Sequence, residues 1–149
     1  KVTVTVNSSA TAADVIVSGN VTICRATSTT LTASSTTVTN PIFTWYRDAN
    51  LTDVAFVGAS FTTPVLTTST TYYVTVKGDD RCESLAASAK AVVIIINPAA
   101  TAADITLSGS STICSGNQVT LTASSTTVTN PVFTWYSTAD LSTPVFVGA

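Results

Sequence analysis

The chain has 149 residues, a formal net charge of −2 and only 9% charged side chains, so it carries no electrostatic signature of a protein that binds nucleic acid or anionic lipid. It contains no histidine, which excludes imidazole-based acid–base catalysis and imidazole ligands for zinc. Thr supplies roughly a fifth of the residues, and Val and Ile are abundant. Because side chains that branch at Cβ favour extended backbone, we expect an all-β protein.

Short stretches of alternating apolar and polar residues, separated by turn-forming residues, predict seven strands. In chain order these strands are 14–18, 29–36, 42–47, 54–58, 60–66, 71–77 and 89–97. Seven short strands within about ninety residues are typical of an antiparallel two-sheet sandwich of the immunoglobulin type. No apolar run approaches the roughly eighteen residues of a membrane-spanning helix, so we expect no membrane insertion.

The third predicted strand carries the expected centre of the core. Successive side chains of a strand point to opposite faces, so Phe43 and Trp45 share one face and Thr44 and Tyr46 share the other. We predict that Trp45 lies at the centre of the core with Phe43 beside it.

The sequence repeats itself with a fixed offset of ninety residues. The twelve letters TLTASSTTVTNP occur at 30–41 and again at 120–131. Aligning 11–59 with 101–149 gives 31 identities in 49 positions without a gap. A fixed period of this size marks an array of modules, each long enough to bury its own core.

The offset divides the chain into three predicted parts. Residues 1–7 are expected to be the last strand of a preceding repeat, 8–97 a complete repeat, and 98–149 the first half of the next repeat. Phe133 and Trp135 are then the expected core residues of that next repeat. We also expect the polypeptide to continue beyond both ends of this sequence, because a half-sandwich would expose its core face and strand edges to water.

Three segments carry a resemblance to a known kind of repeat: TTYYVTVKGDDRCES (70–84), TICSGNQVTLTAS (112–124) and NPVFTWYSTADLSTPVFVGA (130–149). They resemble the tandem immunoglobulin-like repeats of large secreted or cell-surface proteins of Bacteroidota, which are exported by the type IX pathway. The resemblance implies an extracellular location at the cell surface or in secreted material.

Two functions are compatible with this resemblance. The first is a structural spacer or stalk in a long adhesin or filament, whose partners are the neighbouring repeats and, in a fibre, other copies of the protein. The second is a binding module for a glycan or surface ligand, either adhesive itself or an accessory domain of a secreted carbohydrate-active enzyme. Near-identical repeats favour the spacer, because a spacer performs the same mechanical task at every position.

The cysteines follow the period of the repeat. A complete repeat has two, Cys24 and Cys82, and Cys114 is the first of a pair whose second member lies beyond the chain end. An even number per repeat in an extracellular setting predicts disulfides. We expect a bond between Cys24 and Cys82, which requires residues 78–88 to run back along the domain. A bond between neighbouring repeats and free thiols are the alternatives.

No motif for catalysis or for a cofactor is present, since the chain lacks GxGxxG, P-loop and GxSxG patterns. We therefore expect no enzyme activity and no cofactor. The densest polar group contains Asp79, Asp80 and Glu83, which are weak candidates for calcium ligands. We favour a solvated turn there, because calcium takes about six to eight oxygens and the regular ligand spacing is missing.

Overall fold

The computed structural model describes residues 1–19, 21–110 and 112–148, which form two compact units, Lys1–Pro98 and Ala99–Ala149. The described part of the first unit contains eight strands: β1 Ile16–Gly19, β2 Thr22–Cys24, β3 Thr30–Ser34, β4 Ile42–Tyr46, β5 Val54–Val57, β6 Ser60–Thr62, β7 Thr70–Lys77 and β8 Lys90–Asn97. Its helical segments are single 3₁₀ turns at Ala12–Asp14 and Ala86–Ser88. Across the described ranges, no helix is long and apolar enough to cross a membrane.

The eight strands form two sheets, in the orders β1-β3-β6 and β2-β8-β7-β4-β5. Every pairing is antiparallel except that of β2 with β8, which is parallel. The buried apolar side chains of both sheets form one cluster. The prediction of an all-β, immunoglobulin-like sandwich is therefore confirmed.

One strand was missing from the prediction. Strand β2 has three residues, and only the side chain of Ile23 is buried. Three residues are too few to show an alternating pattern, and the strand conformation of this segment depends on pairing with residues of β8 that lie 73 positions further along the chain.

The core is built around Trp45, whose side chain is completely buried. The ring of Phe61 lies 5.3 Å from that of Trp45, and Tyr72 packs edge-on against Phe61 at 5.0 Å. The indole Nε1 donates a hydrogen bond to the Gly58 carbonyl at 3.0 Å, so the polar atom of this large side chain is also satisfied. Phe43 and four aliphatic residues complete the centre: Leu31, Val74, Val76 and Ile94.

The outer face of the five-stranded sheet is partly covered, which the alternation of β4 does not predict. Tyr46 points away from Trp45, yet it is only 8% exposed, and Thr75 on the neighbouring strand β7 is fully buried. Residues 82–84 lie over both side chains, as the hydrogen bonds of Glu83 and Ser84 to β4 and β7 indicate.

Residues 1–7 form no strand in this structure, and the valines among them are more than 80% exposed. Their expected place in a preceding repeat stays a prediction. So do the expected boundaries at 8–97 and 98–149.

The second unit has four strands in its described part: β9 Thr106–Ser108, β10 Thr122–Ser124, β11 Thr134–Tyr136 and β12 Pro144–Val147. β9 pairs with β10, and β11 pairs with β12. Trp135 donates to the Gly148 carbonyl at 3.1 Å, as Trp45 does to Gly58. Trp135 and Phe133 are only partly buried, because the described strands of this unit include no counterpart of β6, β7 or β8.

Replacing Trp45 with Ala should lower the free energy of unfolding of the first unit by about 3–5 kcal/mol, because a fully buried ring and its contact with Phe61 are lost. Chemical denaturation followed by far-ultraviolet circular dichroism measures this loss. Val57→Thr is the matched control, since Val57 is 56% exposed on the neighbouring strand and its replacement should change stability by no more than about 0.5 kcal/mol. Equal losses in the two variants would contradict the placement of Trp45 at the centre of the core.

Candidate functional site

The incoming end of the first unit is formed where residues 7–10 lie beside residues 79–82. The Cys82 amide donates to the Ser8 carbonyl at 3.0 Å, and the Ala10 amide donates to the Cys82 carbonyl at 2.9 Å. The Asn7 side-chain amide donates to the Asp79 carbonyl at 2.9 Å. The Cys82 thiol lies 3.5 Å from the Asn7 carbonyl, to which it donates. The chain is thus attached to the sandwich before its first strand begins.

The outgoing end lies where β2 and β8 end, at the opposite end of the strands of the five-stranded sheet. Here Cys24, the last residue of β2, is the register partner of Asn97, the last residue of β8. The Ile95 amide donates to the Val21 carbonyl at 2.7 Å. The Ile96 amide donates to the Ser69 hydroxyl at 3.0 Å. The chain therefore leaves the sandwich from a strand that is held on both of its edges.

Cys24 and Cys82 are both exposed free thiols in this structure, and so is Cys114 in the second unit. Residues 78–88 do not run back along the domain, as a Cys24–Cys82 bond would require. They turn at Gly78–Arg81, and Ser84 pairs with Val76 near the start of β8. Cys24 of β2 lies beside Asn97, the last residue of β8, and β8 is eight residues long.

The length of β8 sets the separation of these two cysteines. A strand rises by about 3.3 Å per residue, so the two levels are roughly 23 Å apart. A disulfide joins Cα atoms that are no more than about 7 Å apart. The expected Cys24–Cys82 bond therefore does not fit this fold, because residues 78–88 stay near the end of β7 and do not run back along the domain.

Glu83 holds the 82–84 segment against the outer face of the sheet. Its Oε1 atom accepts hydrogen bonds from the Tyr46 hydroxyl at 2.9 Å and from the Thr75 hydroxyl at 2.8 Å. Burial raises the pKa of the Tyr46 phenol, and the hydrogen bond to the Glu83 carboxylate raises it further. Glu83 is thus the acceptor for two hydroxyls that the covering segment removes from water.

The other two calcium candidates are engaged with the 39–40 turn. The Asn40 side chain donates to Asp79 at 2.6 Å, and the Thr39 amide donates to Asp80 at 2.7 Å. The Thr39 amide hydrogen bond holds the pKa of Asp80 below its usual range. The structure does not bring these carboxylates and Glu83 together on a common point, and no cluster of three His, Cys, Asp or Glu residues is present among the described residues. Their role in this structure is to attach a turn.

Gly78 begins this turned segment. A Cβ at Gly78 would clash with the Thr39 carbonyl and the Val38 side chain. The close approach of the two turns therefore requires glycine at this position.

Asp14 organises the start of the first unit, a role that the alternation of the strands does not predict. Its carboxylate accepts hydrogen bonds from the Thr11 amide at 2.8 Å, the Thr11 hydroxyl at 3.0 Å and the Thr37 hydroxyl at 2.6 Å. These bonds, that from Thr37 first, lower the pKa of Asp14. Asp104 makes the same three kinds of hydrogen bond in the second unit. The TAAD segments at 11–14 and 101–104 form capping boxes, a motif whose spacing could have signalled this role.

In a comparison with protein-family models, residues 11–98 match the family described as Ig-like domain CHU_C associated. Domains of this kind are typically non-catalytic. A comparison with curated proteins gives no match.

Glu83→Ala should lower the free energy of unfolding by about 1–3 kcal/mol, because it leaves the buried hydroxyls of Tyr46 and Thr75 without their acceptor. Glu83→Gln is the matched control. Both hydroxyls donate to a single oxygen, which an amide carbonyl can replace, so this variant should lose clearly less stability. Denaturant titration of both variants measures the difference. Equal losses would show that the negative charge, and not the acceptor oxygen, is the essential property.

Asp14→Asn should make the protein less sensitive to acid. The pKa of Asp14 is lowered in the folded state, so its ionised form contributes stability above the unfolded-state pKa of about 3.9. That contribution is lost as the pH falls through the lower, folded-state pKa. Melting temperatures measured from pH 7 to pH 2 should therefore differ most between the native protein and the variant near neutral pH and converge at the acid end. A constant difference across this range would contradict the role of the carboxylate.

Proposed function

The chain belongs to the CHU_C-associated family of immunoglobulin-like domains, and we propose that it is part of a series of tandem structural repeats in a long extracellular protein. In this proposal each repeat is a spacer of an adhesin or filament that holds a terminal region away from the cell surface. The family match supports an immunoglobulin-like structural or binding module. The resemblance of the sequence to repeats of Bacteroidota surface proteins supports export by the type IX pathway.

The observation that carries the proposal is the attachment of the chain at both ends of the first unit. Residues 7–10 are hydrogen-bonded to Cys82 and Asp79 before β1 begins. Asn97, the last residue of β8, lies in register with Cys24 of β2. A pull on the chain at either end therefore meets hydrogen-bonded backbone at once. A spacer that is under tension needs this property.

The direction of the strands determines how the outgoing end resists a pull. β2 and β8 are neighbours and run parallel. When the start of β2 and the end of β8 are pulled apart, the force acts along both strands. The hydrogen bonds between them are then loaded together in shear and do not open one at a time from an end. Parallel pairing of these strands thus favours mechanical resistance.

The repetition of local contacts supports the same function. The capping box of Asp14 recurs at Asp104, and the indole hydrogen bond of Trp45 recurs at Trp135. The contacts repeated in this way maintain the fold, since they hold the turn before the first strand and the centre of the core. A specific ligand site, by contrast, is normally needed only once in a long chain.

Electron microscopy of the native, full-length protein tests the proposal. We expect thin rods with a regular axial repeat, and an intact mass many times that of one repeat. A binding module of a secreted enzyme would instead give a compact particle with few repeats. Glycan-array binding by the chain, abolished by substitution of a defined surface site, would favour that alternative.

Ile95→Pro should weaken the first unit under force, because proline removes the amide that donates to the Val21 carbonyl at 2.7 Å. Single-molecule stretching between the chain termini measures this effect. Unfolding of the first unit should lengthen the chain by roughly 250–300 Å, and the variant should unfold at least about fivefold faster at equal force, as loss of about 1 kcal/mol predicts.

Ile95→Thr is the matched control, because it changes a side chain that is half exposed and keeps the backbone amide of residue 95. The control should unfold at nearly the rate of the native protein. Equal effects of the Pro and Thr substitutions would contradict the proposal that the β2–β8 hydrogen bonds resist the applied force.

A further inference from the structure

We propose that the open face of the second unit, which carries Leu121, Phe133 and Trp135, is a docking site for residues 60–97 of a second copy of this chain. These residues, the donor segment, contain strands β6, β7 and β8, which complete both sheets of the first unit. The inference rests on the contacts of the donor segment in the first unit and on the ninety-residue offset. It does not rest on the proposed spacer function.

The open face consists of residues whose counterparts form the core of the first unit. Leu31 is completely buried there, whereas its counterpart Leu121 is 49% exposed. Ile23 is buried, whereas its counterpart Ile113 is exposed. An open cavity of about 480 Å³ borders Trp135. The second unit therefore presents apolar surface that the first unit covers with the donor segment.

Phe61 is the residue of the donor segment that enters the centre of the core. In the first unit its ring lies 5.3 Å from that of Trp45 and 6.0 Å from that of Phe56. Trp45 and Phe56 are register partners in β4 and β5. Trp135 and Phe146 take their places and are register partners too. The open face thus already holds the pair of aromatic residues against which Phe61 packs.

Glu83 of the donor segment also finds an equivalent partner. In the first unit its carboxylate accepts a hydrogen bond from the Tyr46 hydroxyl at 2.9 Å. Tyr136 occupies the same place in the second unit and is 38% exposed. Docking of the donor segment would place Glu83 over Tyr136 and cover this side chain as it covers Tyr46.

Substitutions at two contact positions leave the backbone contacts with the donor segment intact. The Thr29 amide donates to the Thr63 hydroxyl at 3.1 Å, and the Thr29 carbonyl accepts from the Thr63 amide at 2.9 Å. Val119 replaces Thr29 and keeps both backbone groups. The Ala26 amide donates to a carbonyl of the donor segment at 2.8 Å, and Gly116 keeps that amide.

The chain's own donor segment cannot reach its own second unit in this arrangement. In the first unit, Thr11 follows Ala10 at the incoming end, whereas Asn97 ends β8 roughly 23 Å away. Thr101 takes the place of Thr11 and is held in the second unit by Asp104. Four residues span at most about 14 Å, which is too short to join Asn97 to Thr101 across one sandwich. The donor segment must therefore come from a second copy.

In the native chain the donor segment already covers residues 11–59. A donor that moves its segment to a second copy gives up contacts of the same kind as those it gains, because 31 of the 49 residues are identical in the two places. Exchange therefore gains little free energy while residues 11–59 can still bind the donor segment. A variant in which they cannot bind it should favour docking on the second copy.

The test uses the full chain with Trp45→Asp, which places a charge in the centre of the core of the first unit. Trp135 is then the only tryptophan, so tryptophan fluorescence reports on the proposed docking site alone. We expect this variant to form oligomers in which the emission of Trp135 moves to shorter wavelength as the protein concentration rises, because the donor segment of a second copy buries the indole. Sedimentation at the same concentrations measures the association.

Trp45→Asp combined with Phe61→Asp is the matched control. It keeps the open face and removes the ring that should contact Trp135. The control should show no concentration-dependent shift of the emission. An equal shift in the control, or a Trp45→Asp variant whose emission is unchanged at every concentration, would overturn the inference.

A synthetic peptide of residues 60–97 keeps the test decisive if the Trp45→Asp chain precipitates. Titrated into the native protein, in which Trp45 is already buried, the peptide should bind one to one and shift the emission of Trp135. The same peptide with Phe61→Asp should bind on the order of a hundredfold more weakly. Equal binding of the two peptides, or no binding of the first, would overturn the inference and leave the electron microscopy test of the spacer function unaffected.

Discussion

The two hydrogen bonds that Glu83 accepts from Tyr46 and Thr75 hold the 82–84 segment on the outer face of the five-stranded sheet. That attachment places Cys82 where its backbone can pair with Ser8 and Ala10. The incoming chain is therefore bound to the sandwich through a segment that one carboxylate positions. Without this acceptor, the Tyr46 and Thr75 hydroxyls would lose their hydrogen bonds to Glu83, and the segment would lose two of its polar contacts with the sheet.

The two ends of the first unit use different physical means to hold the chain. At the incoming end, a bridge centred on Cys82 and the side chain of Asn7 make a small number of separate contacts. At the outgoing end, β8 is an interior strand with β2 on one edge and β7 on the other. Attachment at both ends thus depends mainly on backbone hydrogen bonds, which most sequence changes in the exposed side chains leave intact.

Several features could be predicted from the sequence because they depend on local pattern. Alternation and turn residues were sufficient to predict the all-β sandwich, and the position of Trp45 in β4 was sufficient to suggest a central core residue. Strand β2 could not be found in this way, because its three residues form a strand only through pairing with β8. The burial of Tyr46 was also inaccessible, since it depends on a segment that lies 37 residues away in the chain.

The sequence by itself determined the fold class and the ninety-residue offset, because both are written in the order and identity of residues along the chain. Only the tertiary structure decided the surroundings of the cysteines. A spacing of 58 residues between Cys24 and Cys82 allows many separations in space, and the path of residues 78–88 selects one of them. Gly78 fits beneath the Thr39 carbonyl, Glu83 binds the sheet, and the segment stays at the incoming end. Contacts between distant parts of the chain, which no local pattern records, therefore determine what each thiol can reach.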